Sequence, residues 1–191
     1  QHIPIFQIEI YQITLKENGK VINTLEFDIT QREYEIQAIN GLPKSKVNPP
    51  KMDWDRIKKE NSQIGRSRLN TIADCPDLDF IMPAEGIVSG VFGSQRVLNG
   101  EPKRPHYGID VAAPKGSPII SPAWGKVNLI HDDMFYTGGT IGIDHGCGLV
   151  SVFSHLETVD VKVGDEVKQG DVIGTVGSTC LLYTSDAADE R

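Results

Sequence analysis

The sequence predicts an all-β fold, an antiparallel sandwich or open barrel, and two patterns carry that expectation. From about Leu78 onward, short apolar runs rich in Val and Ile are cut at regular intervals by Gly and Pro, as in many short strands joined by tight turns. Ahead of them, Phe6, Ile8 and Ile10 and then Leu25, Phe27 and Ile29 alternate with other residues on either side of Asn18-Gly19, the pattern of a β-hairpin.

The hairpin comes first in the chain. Two strands alone are marginal in water, so residues 1–32 read as the C-terminal remnant of a β-sandwich domain, with Tyr34 and Ile36 leading out of it. Asn40-Gly-Leu-Pro43 and Asn48-Pro-Pro50 then mark a linker spanning residues 33–77. Within it Asp53 is placed to cap a charged helix over residues 54–69, whose polarity suits a surface spacer or a partner-contacting arm, the solvated linker helix being the preferred reading. Strands are expected at residues 87–92, 118–120, 126–130, 140–143, 149–153, 161–163 and 172–176.

Composition narrows the function. At 191 residues and 39% hydrophobic, the chain is long enough to bury a core. Its net charge of −7, or −5 without the last twelve residues, does not suggest a nucleic-acid binder. No apolar stretch approaches the ~18–20 residues of a transmembrane segment. The chain opens without Met, a basic region or a signal-like apolar run, so its start is expected to be missing. Leaving Cys180 aside, Cys75 and Cys147 are too few for a disulfide framework and lack Cys-x-x-Cys spacing. A bridge between them is not expected, and cysteine usage does not fix the compartment.

Chemistry concentrates in His106-Tyr107-Gly108-Ile109-Asp110, followed by Val111-Ala112-Ala113-Pro114. Zinc takes imidazole nitrogen at roughly 2.0–2.1 Å and carboxylate oxygen at about 2.0–2.2 Å, so two such donors must converge within a few ångströms. Pro105 and Gly108 argue against a helix, and in a straight strand the two Cα atoms would lie ~13 Å apart. The chain must therefore bend between them, which Gly108 permits.

The surrounding sequence resembles the M23 family of zinc metallopeptidases, the lysostaphin and LytM type. The resemblance runs through Gly86-Ile-Val-Ser-Gly-Val-Phe-Gly-Ser-Gln-Arg96, His106 to Pro114, and Gly116-Ser-Pro-Ile-Ile-Ser-Pro-Ala-Trp-Gly-Lys-Val127. It continues through Gly138-Gly-Thr-Ile-Gly-Ile-Asp-His-Gly-Cys-Gly-Leu-Val150, Ser154-His-Leu156 and the segment from Val161 to Thr179. Members of the family usually run on into a strand bearing a His-x-His pair. Here Cys180-Leu-Leu-Tyr-Thr-Ser-Asp-Ala-Ala-Asp-Glu190 stands instead, and no His follows His155. That string resembles the translation of a transposase-type sequencing adapter. Residues 78–179 are accordingly identified as an incomplete M23 peptidase domain and residues 180–191 as an artefact.

The resemblance implies a LytM-like antiparallel sheet of the duplicated-hybrid-motif type, with an active-site groove on one face and the metal at its floor. It implies one zinc ion, with His106 and Asp110 as two of three protein ligands and the third absent from the chain. His155 matches the family's catalytic His, which is not a ligand. Other residues have plainer readings: His145 and Cys147 belong to a Gly-rich turn, His2 and His131 show no partner pattern, and Asp132-Asp133 is a solvated loop. Arg96 either lines the groove or forms a surface salt bridge.

Three functions compete. The first, implied by the resemblance, is a periplasmic or otherwise extracytoplasmic zinc endopeptidase acting on peptidoglycan peptides, with a cell-envelope protein as a further partner. In that reading the 191-residue chain itself is a metal-deficient, inactive fragment. The second is a non-catalytic activator of cell-wall amidases, against which retention of His106, Asp110 and His155 speaks. The third is a biotinyl- or lipoyl-like carrier, suggested by Val163-Gly-Asp-Glu-Val-Lys-Gln-Gly-Asp-Val-Ile-Gly174 but lacking a Met-Lys-Met turn.

Overall fold

A computed structural model describes residues 8–30, 33–69, 72 and 79–177. The chain forms two compact units, Gln1–Glu35 and Ile36–Arg191. The first holds an antiparallel hairpin of β1 (Ile8–Glu17) and β2 (Lys20–Thr30). Its turn residues Asn18 and Gly19 both have left-handed backbone, φ 49° and 78°, which the twist of a two-residue hairpin turn requires. Tyr11 and Phe27 face each other across the pair with ring centroids 6.0 Å apart.

The second unit opens with β3 (Ile36–Ile39), the single turn α1 (Lys44–Val47) and α2 (Trp54–Ser67). Then come β4 (Ile87–Gly90), β5 (Gln95–Leu98), β6 (Glu101–Pro102), β7 (Asp110–Ala112) and β8 (Pro118–Ile120). The remaining strands are β9 (Gly125–Met134), β10 (Gly138–Asp144), β11 (Val150–Val159), β12 (Glu166–Val167) and β13 (Val172–Val176). Six of these build one antiparallel sheet in the order β12-β9-β10-β11-β13-β8. Two smaller sheets accompany it, β3-β5-β6 and β4-β7.

The core explains the order. Ile119, Val127, Ile141, Ile143, Leu156, Val167 and Ile173 form one buried cluster, so each of the six strands, the short edges β8 and β12 included, supplies an inward-facing β-branched or Leu side chain. Every residue of β10 is buried. It is central because Gly139 and Gly142 let its neighbours close in: a Cβ at Gly139 would stand 2.6 Å from the Leu156 carbonyl oxygen, and one at Gly142 2.9 Å from Leu129 Cβ.

Helix α2 is not the solvated spacer that its polarity suggests. It lies on the β9–β10 side of the sheet, fastened by a Glu60 carboxylate that is only 6% exposed. Glu60 accepts hydrogen bonds from the Phe135 backbone amide and from Arg56 Nε, each at 2.7 Å, while Asn128 Nδ2 donates to the Ser67 carbonyl at 2.8 Å. Asp53 does precede α2, but its side chain makes no capping bond; a single 3-10 turn, Lys51–Asp53, leads in instead. Upstream, β3 adds to β5 in parallel, pairing Gln37 with Arg96. Residues 161–163 are not a strand. There Lys162 N–H donates to Asp165 Oδ2 at 2.8 Å and Gly164 N–H to the Val127 carbonyl at 2.8 Å, a side-chain-stapled turn.

Candidate active site

The bend that the His106–Asp110 spacing demands is made by loop hydrogen bonds. His106 N–H donates to the Ser94 carbonyl at 2.9 Å and accepts at its own carbonyl from Gly93 N–H at 2.8 Å, which pins the imidazole against the turn before β5. Asp110 opens β7, paired with Gly90 of β4 just past an irregularity in the register. The result places His106 Nε2 3.3 Å from Asp110 Oδ1. Two donors about 2.05 Å from one ion and subtending the tetrahedral angle stand about 3.3–3.4 Å apart, so this pair matches one edge of a zinc tetrahedron. The donor types fit as well. Among the described residues, however, no group of three or more His, Cys, Asp or Glu side chains converges on one point. Among the described residues the convergence is thus limited to the His106–Asp110 pair.

The second oxygen of Asp110 is held by the guanidinium of Arg96, neither side chain being more than a quarter exposed. That settles the two sequence-level alternatives for Arg96 in favour of a half-buried ion pair at the site. There is no slack around it: a Cβ on Gly90 would stand 2.5 Å from Asp110 Oδ2.

His155 reaches the same locality from the main sheet. Opposite β10, Gly139 pairs with Leu156 and Ile141 with Phe153, so β11 carries one extra residue there, a β-bulge. His155 sits in that bulge with φ 64°, a left-handed conformation unusual for a residue with a Cβ. Its N–H donates to the Thr137 carbonyl at 2.7 Å and its carbonyl accepts from Gly177 N–H at 2.9 Å. A bulge turns a side chain that would otherwise follow the pleat, and strained backbone of this kind clusters at functional positions.

Electrostatics tie the three residues together. Burial pushes the His155 imidazole below its ordinary pKa; the Asp110 charge opposes that shift and the Arg96 charge reinforces it. Burial also lowers His106, with Asp110 opposing and Arg96 reinforcing. Nδ1 of each ring is buried with no well-formed hydrogen bond among the described residues, although the Val91 carbonyl is near enough to His106 to favour its protonated form. Both rings are thus neutral near pH 7, the form in which an imidazole binds metal or accepts a proton.

Among the described residues, His131, His145 and Cys147 make other contacts. His145 is fully buried and uses both ring nitrogens, Nδ1 with the Trp124 carbonyl at 2.7 Å and Nε2 with Ser151 Oγ at 2.8 Å. His131 Nδ1 accepts from Asp133 N–H at 3.1 Å. His2 and residues 180–191 lie outside the described residues. Cys147 is disulfide-bonded, contrary to the expectation that the chain forms no bridge, so it is not a free thiol. Too few cysteines for a framework does not preclude one staple; Cys147 sits at φ 53° in a glycine-flanked turn, with its N–H on the Ile72 carbonyl at 3.1 Å.

The site thus combines a β-rich sheet, an imidazole–carboxylate pair and a bulge-borne histidine. Residues 104–186 match the sequence profile of Peptidase family M23. The matched stretch, which holds His106, Asp110 and His155, is similar to that family and covers less than half of the chain. A crystal structure of a peptidase M23 from Pseudomonas aeruginosa aligns over 92% of this chain and 78% of its own with a TM-score of 0.63 and 26% identity. The murein hydrolase activator NlpD of Escherichia coli is 36% identical over 97 residues, 51% of this chain and 24% of its own length. The peptidoglycan DD-endopeptidase ShyC of Vibrio cholerae is 36% identical over 94 residues, 48% of this chain and 21% of its own. The chain therefore spans about a quarter or less of either protein.

Proposed function

We propose that the parent protein is a zinc metalloendopeptidase that hydrolyses the peptide cross-links of peptidoglycan, with His106 and Asp110 holding the ion and His155 handling the proton. The observation that carries this reading is the 3.3 Å separation of His106 Nε2 and Asp110 Oδ1, matched to a zinc tetrahedron. When bound, zinc would polarise the scissile carbonyl and lower the pKa of attacking water toward neutrality. His155, kept neutral by burial, is suited to take a proton at its ring and return it to the leaving amine. Arg96 holds the ligand carboxylate in place through their ion pair.

Peptidoglycan lies outside the cytoplasm, and the disulfide at Cys147 supports an oxidising, extracytoplasmic compartment. Among the described residues no helix is long and apolar enough to cross a membrane. The chain itself, with no His after His155, is proposed to be metal-deficient and inactive. Its likeness to NlpD favours a second reading, a non-catalytic activator with a cell-envelope hydrolase as partner.

One experiment separates the two. The chain is assayed on purified peptidoglycan alone and with an added cell-wall amidase, then again with residues after Thr179 replaced by a Gly-rich turn and a His-x-His strand. The endopeptidase reading expects zinc binding and hydrolysis only after the repair. In the repaired protein His106→Ala or Asp110→Ala should lose the metal, whereas His155→Ala should keep it and lose turnover by about 10²–10⁴-fold. Stimulation of the amidase by both forms, with no hydrolysis by either, establishes the activator instead.

A further inference from the structure

The family-matched region begins at residue 104, yet the guanidinium that holds Asp110 is itself bonded to a side chain from far upstream. Gln37 on β3 stands beside Arg96 in the parallel β3–β5 pairing. Its amide is fixed at both ends: Nε2 donates to the Ser89 carbonyl at 3.4 Å, and Oε1 accepts from Arg96 Nε at 3.4 Å. A guanidinium is a rigid planar fork, so anchoring Nε sets the direction of the terminal nitrogens. One of them holds Asp110 Oδ2. With Oδ2 occupied and packed over Gly90, Oδ1 is the oxygen left facing His106 Nε2.

We infer that Gln37 is a positioning residue for the centre: through the Arg96 fork it holds Oδ2 of Asp110 and turns Oδ1 toward His106. This deepens the reading of Asp110 as a ligand and rests on it. Two consequences follow. Asp110 would offer an ion Oδ1, because Oδ2 is committed to Arg96. And the strand Ile36–Ile39, outside the matched region, is part of the site's construction.

The test uses the full chain, with the repaired C-terminus for the metal measurements, and two readouts other than hydrolysis. Outer partners of metal ligands typically contribute 10–100-fold to metal affinity. Gln37→Met, which keeps length and removes both amide bonds, and Arg96→Lys, which removes the fork, should each weaken zinc binding about tenfold or more in chelator competition. Asn99→Ala is the structural control. It loosens the same seam, where Asn99 bonds Leu42 through both its side-chain atoms, without touching Gln37. It should leave zinc affinity unchanged.

The second readout needs no metal. Ring ¹⁵N shifts of His106 in stripped protein at pH 8 report which nitrogen carries the proton, and an oriented Asp110 favours it on Nε2. Gln37→Met should move the population toward Nδ1–H, and Asn99→Ala should not. Zinc affinity and tautomer both at wild-type values in Gln37→Met overturn the inference, as does an equal effect of Asn99→Ala. If zinc binding is too weak to measure, the tautomer decides. If His106→Ala binds zinc like the wild type, the ligand reading fails, while the tautomer still reports whether Gln37 orients Asp110.

Discussion

Glu60 and the Phe135 backbone amide, 75 residues apart in sequence, meet at 2.7 Å beneath α2. A buried carboxylate satisfied by a backbone donor and by Arg56 is costly to remove, because the donor left behind is desolvated and unpaired. Glu60→Ala should destabilise the second unit by about 2–4 kcal/mol and Glu60→Gln, which still accepts the bond, by less than half of that. Urea titration followed by tryptophan fluorescence measures both. Equal losses for the two variants would mean that the contact is packing alone.

His155 gives a reversal of an ordinary rank. In a strand Gly is normally worse than Ala, but at φ 64° any Cβ carries a penalty of roughly 1–2 kcal/mol. His155→Gly should therefore be more stable than His155→Ala, by about 1 kcal/mol. Paired thermal melts decide this, and Ala coming out ahead would place the strain elsewhere.

Gly65 offers the opposite case. It lies inside α2 with ordinary φ, and a Cβ there meets nothing within 4 Å. Gly65→Ala should raise stability by about 0.5–1 kcal/mol. A loss would show that the helix surface near its C-terminus is covered in solution.

The lowered pKa values of His106 and His155 fix a pH dependence for the metal-free protein. Between the folded values and the ordinary ~6.5 the unfolded chain binds more protons, so stability is full above that window and falls as pH drops through it. In EDTA, the urea midpoint should decline more steeply between pH 7.5 and 5.5 for the wild type than for His155→Gln. Parallel declines would mean that His155 titrates freely.

The main sheet is legible in the sequence because its strands are both β-branched and punctuated: Pro118–Ile120 and Val172–Val176 fall where the turns and apolar runs put them. His106 and Asp110 are legible as a pair from spacing and family likeness, though only the loop bonds of Gly93 and Ser94 bring them to 3.3 Å. The role of α2 is not legible, since a polar helix that docks through one buried Glu looks like a solvated one in composition. Nor is Gln37: nothing in a four-residue strand foretells a parallel partner 59 residues away. The 161–163 run was misleading because two valines can flank a turn that an Asp side chain closes.

The parallel seating of Ile36–Ile39 on β5 bears on where the molecule can be cut. A recombinant domain started at Leu78, where the apolar punctuation begins, would strip β5 of its partner and leave a bare row of amides and carbonyls on Gln95–Leu98. Such an edge recruits strands from other molecules. The minimal version would thus be prone to self-association, and soluble material calls for a boundary ahead of Ile36, where the second unit begins.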